Sequence, residues 1–193
     1  SLQAINQAAL SIMGGTEDIQ IAGGVEHMHH IPMTKDYSPN PRLFTHHSPA
    51  IMNMGLTAEH LAIKYKISRQ EQDSFALRSH QRAASATQEG AFDSEVIPTW
   101  GRNGCGIKEP INRDQSIRKD TSLEALTALP PVFNPHGGTV TAGNASPTSV
   151  GAAALLMMSE TTAKERGLTP MVKVRSMAVA GVDPSIMGIG PVP

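Results

Sequence analysis

The sequence has 193 residues, a formal charge of −1, 17% charged residues, 17 glycines and 14 prolines. The near-neutral balance gives no electrostatic reason to expect nucleic acid or an anionic membrane as a partner, the composition argues against disorder, and no apolar run approaches the roughly 18 residues of a membrane-spanning helix. The single cysteine, Cys105, excludes an internal disulfide and fits a reducing compartment.

Ser1 leads directly into a helical pattern with no charged region ahead of it, so no signal peptide is expected. Leu2, Ile5, Ala9, Ile12 and Met13 fall on one helical face, and Gly14-Gly15 stops that helix. Residues 19–22 alternate as a strand that ends at Gly23-Gly24. Residues 28–49, rich in His, Pro, Asn and Ser, read as a long loop. A short helix is expected over 57–65, burying Leu56 and Leu61. Ser68-Arg-Gln-Glu71 is a capping box that opens a second helix to about Glu89, with Gly90 as its C′ residue. Residues 95–99 read as a short edge strand, because Pro98 cannot donate to a ladder. Residues 100–119 are polar and turn-rich, and a short helix over 121–129 is closed by Pro130-Pro131.

Thr139 to Thr141 alternate as a short strand. It ends at Ala142-Gly143, and Asn144, Ala145 and Ser146 follow. Small side chains let a backbone approach a ligand closely, and Asn144 and Ser146 can supply hydrogen bonds to it. Residues 152–158 form a near-continuous apolar run, as in a strand covered on both faces. Ser159 caps a helix through Arg166, ended by Gly167, and residues 171–180 read as another strand. The organisation is α/β at both ends with a helical, loop-rich insertion between them, and no internal repeat is visible.

Several features invite a chemical reading and do not sustain it. His27, His29, His30, His46 and His47 lie in a Pro-rich loop with no cysteine or Glu-x-x-His helix beside them, so they read as loop histidines and no metal is expected. Cys105, in Gly104-Cys-Gly106, has Arg102 and Lys108 near it in sequence, but no helix begins there to lower its pKa; it reads as an ordinary loop cysteine. Gly188-Ile-Gly190 and Gly14-Gly15 lack phosphate-loop spacing. Ser1 has no nucleophile elbow around it. The methionines Met52 and Met54 fit either core packing or a flexible apolar wall against a ligand chain.

Longer segments carry a resemblance. Ser1-Leu-Gln-Ala-Ile, Ala22-Gly-Gly-Val-Glu-His-Met28, Met54-Gly-Leu-Thr-Ala-Glu59, Ser68-Arg-Gln-Glu-Gln-Asp73, Arg78-Ser-His80, Gly138 to Ser146 and Val182 to Pro193 resemble, in this order, the thiolases. Gly24-Val-Glu-His-Met and Arg175-Ser-Met-Ala-Val-Ala-Gly-Val-Asp-Pro are most similar to the β subunit of bacterial fatty acid oxidation complexes. The resemblance implies a layered αβαβα core, here incomplete, with an inserted helical loop domain. By this reading residues 1–25 belong to the first core domain, 26–137 to the loop domain, 138–168 to the first core domain again, and 169–193 open the second.

The implied activity is that of a 3-ketoacyl-CoA thiolase of β-oxidation, a ping-pong transfer through an acyl-cysteine with coenzyme A as substrate and no other cofactor. The family's nucleophile would stand three positions before Ser1 and its remaining catalytic motifs beyond Pro193. No catalytic residue is therefore assigned within the chain, and the 193 residues alone are expected to be inactive. What the resemblance places here is the coenzyme A side: Met54 in the pantetheine tunnel, Arg118 near the adenine and phosphate end, and Phe133, Ala142 and Ser146 in the pantetheine wall, with Ser146 as a hydrogen-bond partner. It further implies a homodimer in the bacterial cytoplasm and a hydratase/dehydrogenase α subunit as a further partner. Three positions depart from the family pattern: Val150 replaces an acid, Asn53 stands where biosynthetic members carry His, and Pro130 where an Arg-Pro pair is common. The alternatives are a non-catalytic, thiolase-like coenzyme-A-binding or scaffold protein, and a structural piece of a larger complex.

Overall fold

The computed structural model describes residues 1–103 and 105–193. In chain order it contains α1 (Leu2–Met13), β1 (Ile19–His27), α2 (Met54–Tyr65), α3 (Arg69–Gln88), β2 (Thr99–Arg102), β3 (Lys108–Ile111), α4 (Leu123–Thr127), β4 (Val150–Met158) and α5 (Glu160–Glu165), with 3-10 turns at Pro41–Thr45, Pro49–Met52 and Pro184–Ile189. The class is α/β, as expected, and the sheets are small: two ladders of two strands each. The chain divides into two compact units, Ser1–Pro41 with Thr148–Gly181, and Arg42–Pro147 with Val182–Pro193.

In the first unit β1 pairs antiparallel with β4, in register from Ile19 opposite Met158 to His27 opposite Val150. The strand expected to stop at Gly23-Gly24 runs straight through both glycines. They mark close backbone approach instead: a Cβ on Gly23 would stand 2.9 Å from the Ala153 carbonyl, and one on Gly24 would overlap the Ser1 side chain at the start of α1. Two further strand expectations are corrected. β4 is not covered on both faces, since Leu155 and Leu156 are 52% and 60% exposed. Residues 171–180 form no ladder, and Met171 and Val172 lie 90% and 86% exposed. A β-strand is a property of a pair, and among the described residues no strand is paired with that run.

The second unit carries the longer helices. α2 begins at Met54 rather than at Thr57, because Asn53 Oδ1 accepts from the Leu56 N–H at 3.1 Å and caps it; it ends with Lys66 in the left-handed region at φ 56°. α3 opens with the capping box read from sequence: Ser68 Oγ accepts from the Glu71 N–H at 3.2 Å, and Glu71 Oε2 accepts from the Ser68 N–H at 2.7 Å. Gly90 follows α3 at φ +72°, the conformation its C′ role requires. The edge strand expected over 95–99 is displaced: β2 starts at Thr99 and pairs with β3, so the stretch expected to be only turns holds a hairpin. Its loop is organised by Asn103 Oδ1, which accepts from the Cys105 and Ile107 N–H groups at 3.0 Å. Gly104, in the quoted Gly104-Cys-Gly106 motif, lies outside the described residues.

The capping box supplies a test. Its hydrogen bonds, first from the Ser68 hydroxyl and then from the Ser68 N–H, hold the Glu71 carboxyl below its ordinary value. A carboxyl depressed on folding contributes stability above its unfolded value and loses it as pH falls through the folded one. Ser68→Ala is expected to lower stability by about 1 kcal/mol near neutrality. Acidification below about pH 4 should shrink that difference, which thermal melts of both proteins across pH would show.

The interior of the second unit is unusual in being polar. The fully buried side chains are Asp73 and Thr141, both 0% exposed, with Glu59 and Thr57 nearly so, beside Leu126, Val140, Ala62 and Ala76. Buried polar groups must find partners, and those partners build the site.

Candidate functional site

Glu59 lies in the middle of α2, on the same face as Gly55 and Ala62, all three buried. Its carboxylate accepts from the Thr139 N–H (2.9 Å to each oxygen), the Thr139 hydroxyl (2.9 Å) and the Val140 N–H (2.9 Å). A buried anion needs this number of donors to offset its lost hydration. The same bonds explain why residues 139–141 are not the short strand their alternation suggests. The Thr139 and Val140 N–H groups point at Glu59 and that of Thr141 at Asn144, and what remains of pairing is one isolated bridge, Pro131 to Thr141, with the Val132 N–H donating to the Val140 carbonyl at 2.9 Å.

Asn144 also departs from its sequence reading. It faces inward rather than toward a ligand: Nδ2 donates to Asp73 Oδ1 and to the Thr139 carbonyl, both at 3.0 Å, and Oδ1 accepts from the Thr141 N–H at 2.8 Å. Asp73 in turn accepts from Arg69 Nε at 2.7 Å. The Arg69 Nη2 group donates to the carbonyls of Leu126 (2.7 Å), Leu129 (3.0 Å) and Thr127 (3.3 Å) at the C-terminal end of α4, where a cation is favoured by the helix dipole. Gln72 Nε2 adds a bond to Thr139 Oγ1 at 2.9 Å. The turn that carries Ala142 is thus tied to α2, α3 and α4 at once.

The five residues assigned to the coenzyme A side fall in three places. Met54 is the first residue of α2, 48% exposed. The Phe133 ring, 36% exposed, lies over the adjoining Gly55 so closely that a Cβ there would overlap it. Ala142 and Ser146 are exposed at either end of the braced turn. Arg118 is exposed and held at α3, its backbone N–H donating to His80 Nδ1 at 3.2 Å. A hollow of about 180 Å³ in this unit is lined by Glu59, Lys66, Asn134 and Thr139. Another, of about 410 Å³, runs along α3 between Phe75, Arg78, Arg82 and Phe92. Neither is lined by any of the five. Val150, the departure from an acid, heads β4 at 56% exposure.

Sequence reading missed Glu59 and Asp73. Asp73 carries a local signal, since Arg69 precedes it by one helical turn. Glu59 carries a weaker one: a carboxylate on a face with Gly55 and Ala62 has no local partner, which points to a distant one. Elsewhere, His27 and His30 meet edge to face at 5.6 Å, and His29 Nε2 lies 3.1 Å from Thr148 O and Oγ1. Among the described residues no three His, Cys, Asp or Glu side chains are grouped to hold a metal, and no helix is long and apolar enough to cross a membrane.

Residues 1–161 match the family described as thiolase, N-terminal domain. The chain belongs to the thiolase family. Over all 193 residues it is 50% identical to the 3-ketoacyl-CoA thiolase of Saccharophagus degradans and 53% identical to that of Escherichia fergusonii, covering 49% and 50% of those proteins. Among solved structures, human mitochondrial 3-ketoacyl-CoA thiolase matches with a TM-score of 0.81 and 37% identity, over 99% of this chain and 51% of that one. The dimeric peroxisomal thiolase of Saccharomyces cerevisiae matches with a TM-score of 0.84 and 34% identity, over 98% and 49%. This thiolase chain spans about half the length of the curated relatives it matches.

Proposed function

We propose that these residues are part of a 3-ketoacyl-CoA thiolase of fatty acid β-oxidation. The observation that carries the reading is identity of 50–53% along the entire chain to proteins of that name. In the reaction a cysteine thiolate adds to the keto carbonyl of the 3-ketoacyl thioester. The C2–C3 bond breaks, the acetyl-CoA enolate takes up a proton, and the acyl group stays on sulfur. A second coenzyme A thiolate then takes the acyl group and returns the cysteine. The cysteine lies outside residues 1–193 on this reading.

The role of this chain is to hold the carrier. Met54 and Phe133 supply apolar surface for the pantetheine arm, Ala142 keeps the wall low, Ser146 hydrogen-bonds an amide of the arm, and Arg118 pairs with phosphate. Residues 1–25 and 138–168 belong to the first core domain, 26–137 to the loop domain and 169–193 to the second core domain. The complete protein is a homodimer in the bacterial cytoplasm, works with a hydratase/dehydrogenase α subunit, and needs coenzyme A alone.

Steady-state thiolysis of a 3-ketoacyl-CoA by the complete protein tests this. Turnover is expected, and Ser146→Ala should raise KM for coenzyme A about five-fold, the equivalent of one lost hydrogen bond, with little change in kcat. Coenzyme A binding by calorimetry without turnover would instead favour a non-catalytic carrier-binding protein.

A further inference from the structure

We propose that one face of α2, through Gly55 and Glu59, is the template that sets the position of the pantetheine wall, with Glu59 as a positioning residue for coenzyme A; this rests on the reading above. Gly55 and Glu59 are one turn apart and share a buried face. Gly55 seats the Phe133 ring, leaving no room for a Cβ. Glu59 fixes the backbone at Thr139 and Val140. Between these anchors the Gly138 N–H closes a turn on the Asn134 carbonyl at 3.0 Å, Gly137 takes φ +84°, and a Cβ on Gly138 would stand 2.7 Å from Glu59 Oε1. Beyond them, Thr141 is held by Asn144 and Asn144 by Asp73.

Glu59 on α2 and Asp73 on α3 thus hold the backbone at 139–141, the first directly and the second through Asn144, while Ala142 and Ser146 remain exposed. A buried carboxylate is a poor device for stability alone, since apolar replacements of buried ionic groups are often neutral or stabilising. Here it is bonded to successive main-chain N–H groups, which fixes the register of the loop against the helix. Glutamine weakens the clamp: a single acceptor oxygen is left for the two N–H groups, the charge that strengthens their bonds is lost, and the NH₂ is met by the Thr139 hydroxyl only if that hydroxyl turns to accept.

The test uses the complete protein and compares KM for coenzyme A, kcat and Tm. Glu59→Gln is expected to raise KM about ten-fold with kcat within roughly two-fold, a binding-specific signature. Gly55→Ala is the second variant. Alanine is the better helix former, so α2 is not weakened, yet displacement of Phe133 should raise KM again. Ser122→Ala, which removes the cap bond to the Ala125 N–H at 3.2 Å, should lower Tm and leave KM unchanged. Unchanged KM in both folded variants, or an equal rise in the Ser122 control, overturns the template. Failure of the unmutated protein to bind coenzyme A overturns the functional reading together with it.

Discussion

Replacing Asp73 by alanine is expected to destabilise the protein by about 3 kcal/mol, read as a lower denaturant midpoint with an unchanged m-value. The reason is the state of what is left behind. Asp73 is fully buried and accepts from Arg69 Nε at 2.7 Å and Asn144 Nδ2 at 3.0 Å. The Arg69 side chain is itself only 22% exposed. Truncation strands a guanidinium among the carbonyls of α4 and frees the amide that holds the 139–144 turn. The loss measures an orphaned charge, not the net worth of the pair. The ion pair between Lys164 and Glu160 has the same 2.7 Å separation but is 74% and 59% exposed. Lys164→Ala should shift the midpoint little, because water replaces the partner on both sides. An Asp73→Ala midpoint shift as small as that of Lys164→Ala would show that the buried network does not hold this unit together.

What the sequence made legible was local. The capping box at Ser68, the stop of α1 near Gly14-Gly15 and the left-handed Gly90 are each written within one helical turn, and each is found in place. The family was legible too, because ordered segments along the whole chain carry the resemblance. Strand pairing was not. β4 reads as a doubly covered strand from its apolar run, yet its pairing partner is β1, more than a hundred residues away. Residues 171–180 have the same apolar character with no ladder. The hairpin of β2 and β3 was hidden by Pro110 and by a loop whose turn depends on one side chain, Asn103. The site failed to read for a related reason. Thr139 and Val140 look like a strand, and only the arrival of Glu59 from α2 converts their N–H groups into ligands of a carboxylate. Asn144 looked like a donor to a ligand because its type allows it; its environment turned all its bonds inward.

A polypeptide of residues 1–193 alone is expected to catalyse no thiolysis above background, while the complete protein turns over. Acyl transfer by this route needs a thiolate positioned against the keto carbonyl of the substrate. The only thiol in these residues is Cys105. It is exposed in the hairpin loop between β2 and β3, where its backbone N–H is occupied by Asn103 Oδ1. A thiol becomes a catalytic nucleophile at a helix N-terminus or beside a cation that lowers its pKa, and β2 and β3, not a helix, flank this one. The side chains assigned to the carrier are no substitute. Met54, Phe133 and Ala142 have no transferable proton, and Ser146 stands on an exposed turn. Two measurements check the argument together. Loss of 3-ketoacyl-CoA absorbance should be undetectable with the short polypeptide at concentrations where the complete protein consumes the substrate. Cys105→Ser in the complete protein should leave kcat/KM within about two-fold, as expected of a surface thiol outside the reaction. Turnover by the short polypeptide, abolished by Cys105→Ser, would move the nucleophile onto this chain and reverse its assignment from carrier wall to catalytic half.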